Sequence, residues 1–310
     1  MLLSRVADSL YWSARYLERA DDTARMVWGY TEGLVDLPTT VSTSWEPLLA
    51  ITGSREGFAD RHGGESGERA IMSFLLADSD YPGSVVSSIE AARDNLRSCR
   101  DVIPQFAWTV VNDLHLYVVD HQREGVPRRS RARFIERVRR DVERVGGIVA
   151  TTMIRDDAYH FWQLGQLIER ADMTTRVLGV QAAELLGAGP QTTGGQPFVE
   201  VQWMTVLRSV SGRQMYQRAT RLPITGPAVV EFLLRHPEFP RSVSFCVDEF
   251  AAHVARLPRA DSLVPAIRRV KDAIATPLAD PEDGAELDAS MDRIQVALMN
   301  LSAAVTATYG

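Results

Sequence analysis

The sequence predicts an all-α protein built as two pseudo-symmetric helical-bundle halves from an internal duplication, packed as one globule. Three observations carry this. Apolar residues recur every three or four positions through most of the chain, the signature of helices with one buried face. No segment alternates apolar and polar residues at the period of two that marks a strand. And the chain repeats itself at long range: Glu18, Arg19, Ala20, Asp21, Thr23 and Arg25 recur as Glu169, Arg170, Ala171, Asp172, Thr174 and Arg176, each 151 residues later. A second block, Phe74 to Val85, recurs as Phe232 to Val243 at a distance of 158, and Trp45 meets Trp203 at the same distance. A repeat this long implies homologous half-bundles and not a short-period solenoid. The halves are read as residues 1–150 and 151–310 of one continuous helical domain, and 310 residues suffice for a large core.

The elements follow in order. Leu3, Leu10, Leu17, Ala24 and Trp28 set a first helix that is expected to end near Gly29 and Gly33. Pro38, Thr39, Thr40, Ser42 and Thr43 read as a polar connection, and residues 45–51 as a short helix. The stretch 53–67 is rich in Gly, Ser and charge and reads as an exposed loop. Phe74 to Val85 ends one helix, turns and starts the next, which is expected to run over 84–103 with Val85, Ile89, Ala92, Leu96, Cys99 and Ile103 inward. A helix over 105–122 buries Trp108, Val111, Leu114 and Val118. After a loop at 127–130, residues 131–149 form an Arg-rich amphipathic helix whose mixed charges read as a solvated face. The second motif helix reaches about residue 186, and the Gly-, Thr- and Pro-rich segment 187–197 reads as a linker or lid. It is also where the step from 151 to 158 places a seven-residue insertion. Helices resume over 201–212, 215–221, 228–235, 241–256, 262–274 and 286–306.

The repeated Glu-Arg-x-Asp stretch is the candidate polar site. On a helical wheel Asp21 borders the apolar stripe, Glu18 and Arg25 flank it, and Arg19 points largely away. A carboxylate facing a core is costly unless it is paired. Asp21 and Arg25 are spaced to pair along one face. Three readings stand: an ion-pair lattice that locks two helices; a polar site of Glu18, Arg19, Asp21, Arg25, Glu169, Arg170, Asp172 and Arg176 across a pseudo-twofold axis; and a carboxylate metal site. Glu18 and Glu169 are expected on neighbouring central helices, with Arg25 and Arg176 supplying the pairing across the interface. Neither motif carries the Glu-x-x-His of carboxylate-bridged bundles, and neither a metal nor a cofactor is expected.

A second candidate is the row Arg93, Arg97 and Arg100 with Asn95, on the flank of a helical stripe, where guanidinium forks suit an anion. Local pairing with Glu90, Asp94 and Asp101 is the plainer reading. There is no Walker loop, dinucleotide fingerprint, nucleophile elbow or His-Glu-x-x-His. His115, His121 and His160 lie too far apart to suggest a ligand pair, and no catalytic residue can be named. A net charge of −6 argues against a nucleic-acid surface. Cys99 and Cys246, the only cysteines, sit in apolar helical stretches and fit buried thiols in a reducing compartment. With no apolar run long enough to span a bilayer and no signal-peptide pattern at the start, a cytoplasmic location is expected.

Several segments, taken together, resemble the bacterial alpha-E family: Leu-Ser-Arg-Val-Ala-Asp-Ser-Leu-Tyr-Trp at 3–12, Tyr-Leu-Glu-Arg-Ala at 16–20, Phe-Leu-Leu-x-Asp at 74–78, Ala-Arg-Asp-Asn-Leu-Arg at 92–97, Leu-Ile-Glu-Arg-Ala-Asp at 167–172 and Phe-Pro-Arg-Ser-Val at 239–243. The resemblance covers nearly the whole chain. It implies an all-helical protein encoded beside, and sometimes fused to, a circularly permuted ATP-grasp ligase-like protein, with transglutaminase-like proteins as frequent neighbours. It also implies a role in a peptide- or amide-forming modification system, acting on a peptide or small anionic substrate. Glu18, Arg19, Glu169 and Arg170 match the family signature. Arg93, Asn95 and Arg97 match a further segment, with Asp94 and Leu96 departing mildly from it. The expected function is that of an accessory or binding component working with a separate ligase. The alternatives are a carboxylate-dependent enzyme and a structural scaffold.

Overall fold

Helix α1 (Ser4–Val35) runs unbroken through the first motif, because no proline interrupts it and Leu10, Leu17, Ala24 and Val27 recur on its buried face. It passes Gly29 and Gly33, where the sequence predicts a stop. These glycines serve close packing: a Cβ at Gly29 would lie 2.6 Å from the Ser209 backbone nitrogen, and one at Gly33 2.2 Å from the Thr205 hydroxyl. A computed structural model describes residues 3–35, 44–63, 67–187, 195–278 and 283–310. The predicted connection at 38–43 and most of the 187–197 linker lie outside the described residues.

Among the described residues there are fourteen α-helices and no strand, packed as one globule. In the first part of the chain α2 (Glu46–Ile51), α3 (Arg55–His62), α4 (Glu68–Met72), α5 (Val85–Ser98), α6 (Gln105–His121) and α7 (Arg128–Thr152) follow α1. Then come α8 (Asp157–Gly187), α9 (Gly195–Ser209), α10 (Arg213–Thr220), α11 (Gly226–Arg235), α12 (Val243–Val254), α13 (Val264–Ala275) and α14 (Gly284–Tyr309). The 53–67 stretch is therefore not all loop: α3 buries Phe58 against Phe74 and closes on Gly63 in the left-handed region.

The two motif helices, α1 and α8, form the central pair. Around α1 pack α5, α7 and α9; around α8 pack α12 and α14. Helix α6 bridges α5 and α7 as α13 bridges α12 and α14. The repeated Ser-Val step starts α5 and α12 alike: Ser84 Oγ accepts from the Ser87 amide at 3.0 Å, and Ser242 Oγ from the Phe245 amide at 3.1 Å. The crossing of α1 over α8 is very close. A Cβ at Gly165 would sit 2.1 Å from the Tyr11 carbonyl oxygen and 3.2 Å from the Ala14 methyl. Ala14 and Gly165 are themselves 151 residues apart, so the helices meet at matching positions.

Candidate functional site

One turn beyond that crossing the helices exchange their glutamates. Arg170 donates from Nε to Glu18 Oε1 at 2.7 Å and from Nη2 to Oε2 at 3.0 Å. Reciprocally, Arg19 Nε donates to Glu169 Oε1 at 2.5 Å. A preceding residue supports each carboxylate, Gln166 on Glu18 at 3.0 Å and Arg15 on Glu169 at 2.7 Å. Arg15 is in turn fixed by the Ser302 hydroxyl of α14 at 2.9 Å. Glu18 and Glu169 are both buried. Burial alone would raise their pKa values, but the facing guanidiniums win. Arg170 and Arg241 hold Glu18 at about 2, and Arg19 and Arg15 hold Glu169 below the ordinary carboxylate range.

Glu18, Arg19, Glu169 and Arg170 thus meet across the α1–α8 interface, while the other four motif residues do not pair across it as expected. Arg19 does not point away. It reaches across to α8 because α1 is covered on several sides, and a wheel drawn around a single stripe misassigns its flank. Arg25 and Arg176 do not cross. Each turns back along its own helix, to Asp21 at 2.6 Å and Asp172 at 2.8 Å, since a partner four residues away is reached without leaving the helix. Arg25 is completed by the Ser211 hydroxyl at 2.6 Å and by Glu143.

Sequence reasoning missed the residue that ties the first motif together. Arg241, from the Phe-Pro-Arg-Ser-Val stretch before α12, donates to Glu18 at 3.0 Å, to Asp21 at 3.1 Å and to Asp22. It also missed Asp22, Arg15 and Gln166. The signals were the second acid of Asp21-Asp22 at the stripe's edge and an arginine one turn before Arg19. Oxygens of Glu18, Asp21 and Asp22 lie within 4.8 Å of one another, close enough to hold a cation, and Arg241 donates to all three. Glu18 also has Arg170 and Asp21 also has Arg25, whereas among the described residues Asp22 is paired by Arg241 alone. Burial, with Glu18 and Asp21 nearby and against the pull of Arg241, pushes Asp22 up to about 8, and burial raises Asp21 as well. The surroundings thus favour the protonated form of Asp22 and the ionised form of Glu18.

Beside the second motif there is a cavity of about 220 Å³, lined by Arg19, Thr23, Tyr81, Glu169, Asp172 and Arg176 among others. Burial raises Asp172 against the opposing pull of Arg176.

The second candidate row disperses. Arg93 donates to Asn112 at 3.1 Å and Asp94 at 3.2 Å. Asn95 caps the helix end through its carbonyl, which accepts from Ser98 and Cys99. Because α5 ends at Ser98 and not near 103, Arg100 falls in the following turn, and both it and Arg97 are exposed. Cys99 and Cys246 are buried, and burial pushes their thiols up to about 11 and about 12. His160 and His253, far apart in sequence, meet across α8 and α12 with their Nδ1 atoms 2.8 Å apart. No described helix is long and apolar enough to cross a membrane.

Comparison with known proteins agrees with this architecture. The chain is similar to uncharacterized proteins of Mycobacterium bovis and of two strains of Mycobacterium tuberculosis, each 26% identical over 272 residues. The match covers 82% of this chain but 30% of each relative's length. No solved structure matches it. A family model described as a predicted alpha-helical domain with a conserved ER motif matches residues 2–309, essentially end to end, and the protein belongs to this Alpha-E family.

Proposed function

We propose that this chain is a cytoplasmic binding and docking component of a peptide- or amide-forming modification system, working with a separate ATP-grasp ligase-like protein that supplies the nucleotide chemistry. The observation that carries this is the reciprocal clamp. Both signature glutamates are buried, ionised and held by guanidiniums from the opposite helix, a state suited to rigid presentation of a surface and poorly suited to proton transfer. The relatives' length gives further support, since the matched region is 30% of those proteins and is joined there to other sequence. The repeated helix order and the crossing at matching positions support an origin of the two halves, 1–150 and 151–310, in an internal duplication.

Affinity purification of the tagged protein from its native host tests the reading. A ligase-like chain should co-purify under mild conditions, with a transglutaminase-like protein as a further candidate, and recovery of the protein alone would count against it. A second reading, a carboxylate-dependent enzyme, is favoured by one observation: buried Glu18 and Asp22 share Arg241, and their surroundings push Glu18 down and Asp22 up, the divergence that acid–base pairs need. An Asp22→Asn variant as active as wild type in the pathway assay, together with no stoichiometric metal by elemental analysis, would remove it.

A further inference from the structure

The clamp has two sides at corresponding positions, and an arginine, Arg241, enters only one of them. On the filled side, Arg241 enters the first motif and the Thr174 hydroxyl lies 3.0 Å from the Arg241 carbonyl oxygen. Arg170 uses Nε, Nη1 and Nη2, and so does Arg25. On the other side the inserted arginine is missing, and Thr23, Arg19 and Arg176 make fewer hydrogen bonds than their counterparts. The position 158 residues before Arg241 is Gly83, which has no side chain to insert. Thr23, the counterpart of Thr174, is fully buried, and its hydroxyl has no hydrogen-bond partner. Arg19 and Arg176 each bond a carboxylate through Nε alone, and among the described residues their terminal N–H groups have no hydrogen-bond partner. Asp172, like Asp21, is bonded through one oxygen, but among the described residues that oxygen takes Arg176 alone where Asp21 takes both Arg25 and Arg241. Gly83, Thr23, Arg19, Arg176 and Asp172 all line the same 220 Å³ cavity.

A buried polar group left unpaired is unfavourable, and the Thr23 hydroxyl is such a group. An unpaired buried hydroxyl beside partly exposed guanidinium and carboxylate groups that line the same cavity is what a ligand site looks like before its ligand arrives. We propose that this cavity binds a free α-amino acid. Its carboxylate would take the open N–H groups of Arg19 and Arg176 and the Thr23 hydroxyl, and its ammonium would take Asp172 in the place that a guanidinium holds on the other side.

Charge decides between this and simpler ligands. A bare cation in the manner of Arg241 meets a weaker seat, because Asp22 is matched here by Met173 and Gln166 is matched by the cationic Arg15. A bare phosphate meets Asp172 and Glu169. The lining carries two guanidiniums and two carboxylates, which suits a zwitterion. The volume is small beside the roughly 300–1,000 Å³ of sites for drug-sized molecules, and suits a ligand of amino-acid size. Tyr81 shapes one wall: its hydroxyl lies where a Cβ on Gly83 would be, 2.4 Å away.

The test is thermal-shift screening of the full chain against each proteinogenic L-amino acid, with calorimetry on the hits, alongside acetate, inorganic phosphate and methylguanidinium. At least one amino acid should raise the melting temperature saturably, and the three partial mimics should not match it. Thr23→Val should leave the ligand-free melting temperature unchanged or higher, since that hydroxyl has no partner to lose, yet weaken binding about tenfold. Asp172→Asn should weaken it at least as much. The proposal is overturned if no amino acid binds at millimolar concentration. It is overturned equally if phosphate or methylguanidinium binds as tightly as the best amino acid, which would mean a simple ion site, or if both variants bind like wild type. None of these outcomes depends on whether a ligase co-purifies.

Discussion

Replacing Glu18 by alanine is the most searching perturbation of the central clamp. Its carboxylate takes two bonds from Arg170, at 2.7 and 3.0 Å, and one each from Arg241 and Gln166, both at 3.0 Å. Removing it takes the carboxylate from largely buried Arg170 and one of three carboxylates from Arg241. Breaking one partner of a buried ion pair costs about 3–5 kcal/mol. The structure places the loss at the lower end of that range. Without Glu18 beside it, Asp22 loses a repelling neighbour, ionises and takes over part of the neutralisation of Arg241. Arg170 keeps some access to solvent, with 16% of its side chain exposed, and relaxes outward. At about 2 °C per kcal/mol for a chain of this size, Glu18→Ala should melt roughly 6 °C below wild type. Adding Asp22→Asn blocks the compensation and should deepen the loss beyond the sum of the single effects by about 1–3 kcal/mol. Urea denaturation of the four proteins of this cycle, with scanning fluorimetry in parallel, measures both quantities. A Glu18→Ala protein melting within about 1 °C of wild type would refute the clamp as a stabilising device, and strict additivity with Asp22→Asn would refute the compensation. Arg93→Ala serves as the reference: its half-exposed pairing with Asp94 should be worth under about 1 kcal/mol, and a functional defect in that variant would then report on function and not on folding.

Other outcomes follow from the same geometry. Burial pushes Asp22 up to about 8 in the fold, against about 3.9 when unfolded, so the folded state should bind an extra proton between those values. Its contribution is full below about pH 4 and is lost as pH rises through 8, and Asp22→Asn should flatten that part of the stability profile in urea titrations at stepped pH. His253 runs the opposite way. Burial and the neighbouring His160 push it down to about 4, so its contribution is present above about pH 6.5 and lost as pH falls through 4. A His253→Gln protein should lose less stability than wild type between pH 6.5 and 4. Gly165→Ala drives a methyl into the Tyr11 carbonyl and should destabilise by about 1–3 kcal/mol with altered near-ultraviolet dichroism. Gly147→Ala, on an open face of α7 with nothing within 4 Å, should stabilise by about 0.5–1 kcal/mol.

Periodicity made the helices legible, because a buried stripe must repeat every three to four residues whatever it packs against. It failed where a residue's job depends on what lies opposite. Gly29 and Gly33 look like stop signals until α9 is seen against them, and α3 hides in a polar stretch because only Phe58 of its residues is buried. The repeated motif pointed to Glu18 and Glu169 as a central pair, although the stripe put Glu18 only at its flank and the opposite helix completes the burial. The choice of arginine did not follow. Whether Arg19 or Arg25 crosses depends on the spacing and rotation of two helices, and neither is written in one helix's sequence. Arg241 comes from 219 residues beyond Asp22, and only the fold brings it there. Its counterpart Gly83 was equally visible in the repeat, but an empty place has meaning only once its filled twin is known.

Ala14 and Gly165 meet as matching residues do at the twofold axis of a homodimer, where contact i to j is mirrored by j to i. Two separate copies would have to keep the two sides identical, and would fall apart on dilution. Inside one polypeptide neither constraint holds. The melting temperature should not depend on protein concentration. A mutation on one side appears once and not twice, so one flank of the interface is free to become a permanent brace while the other stays open to change.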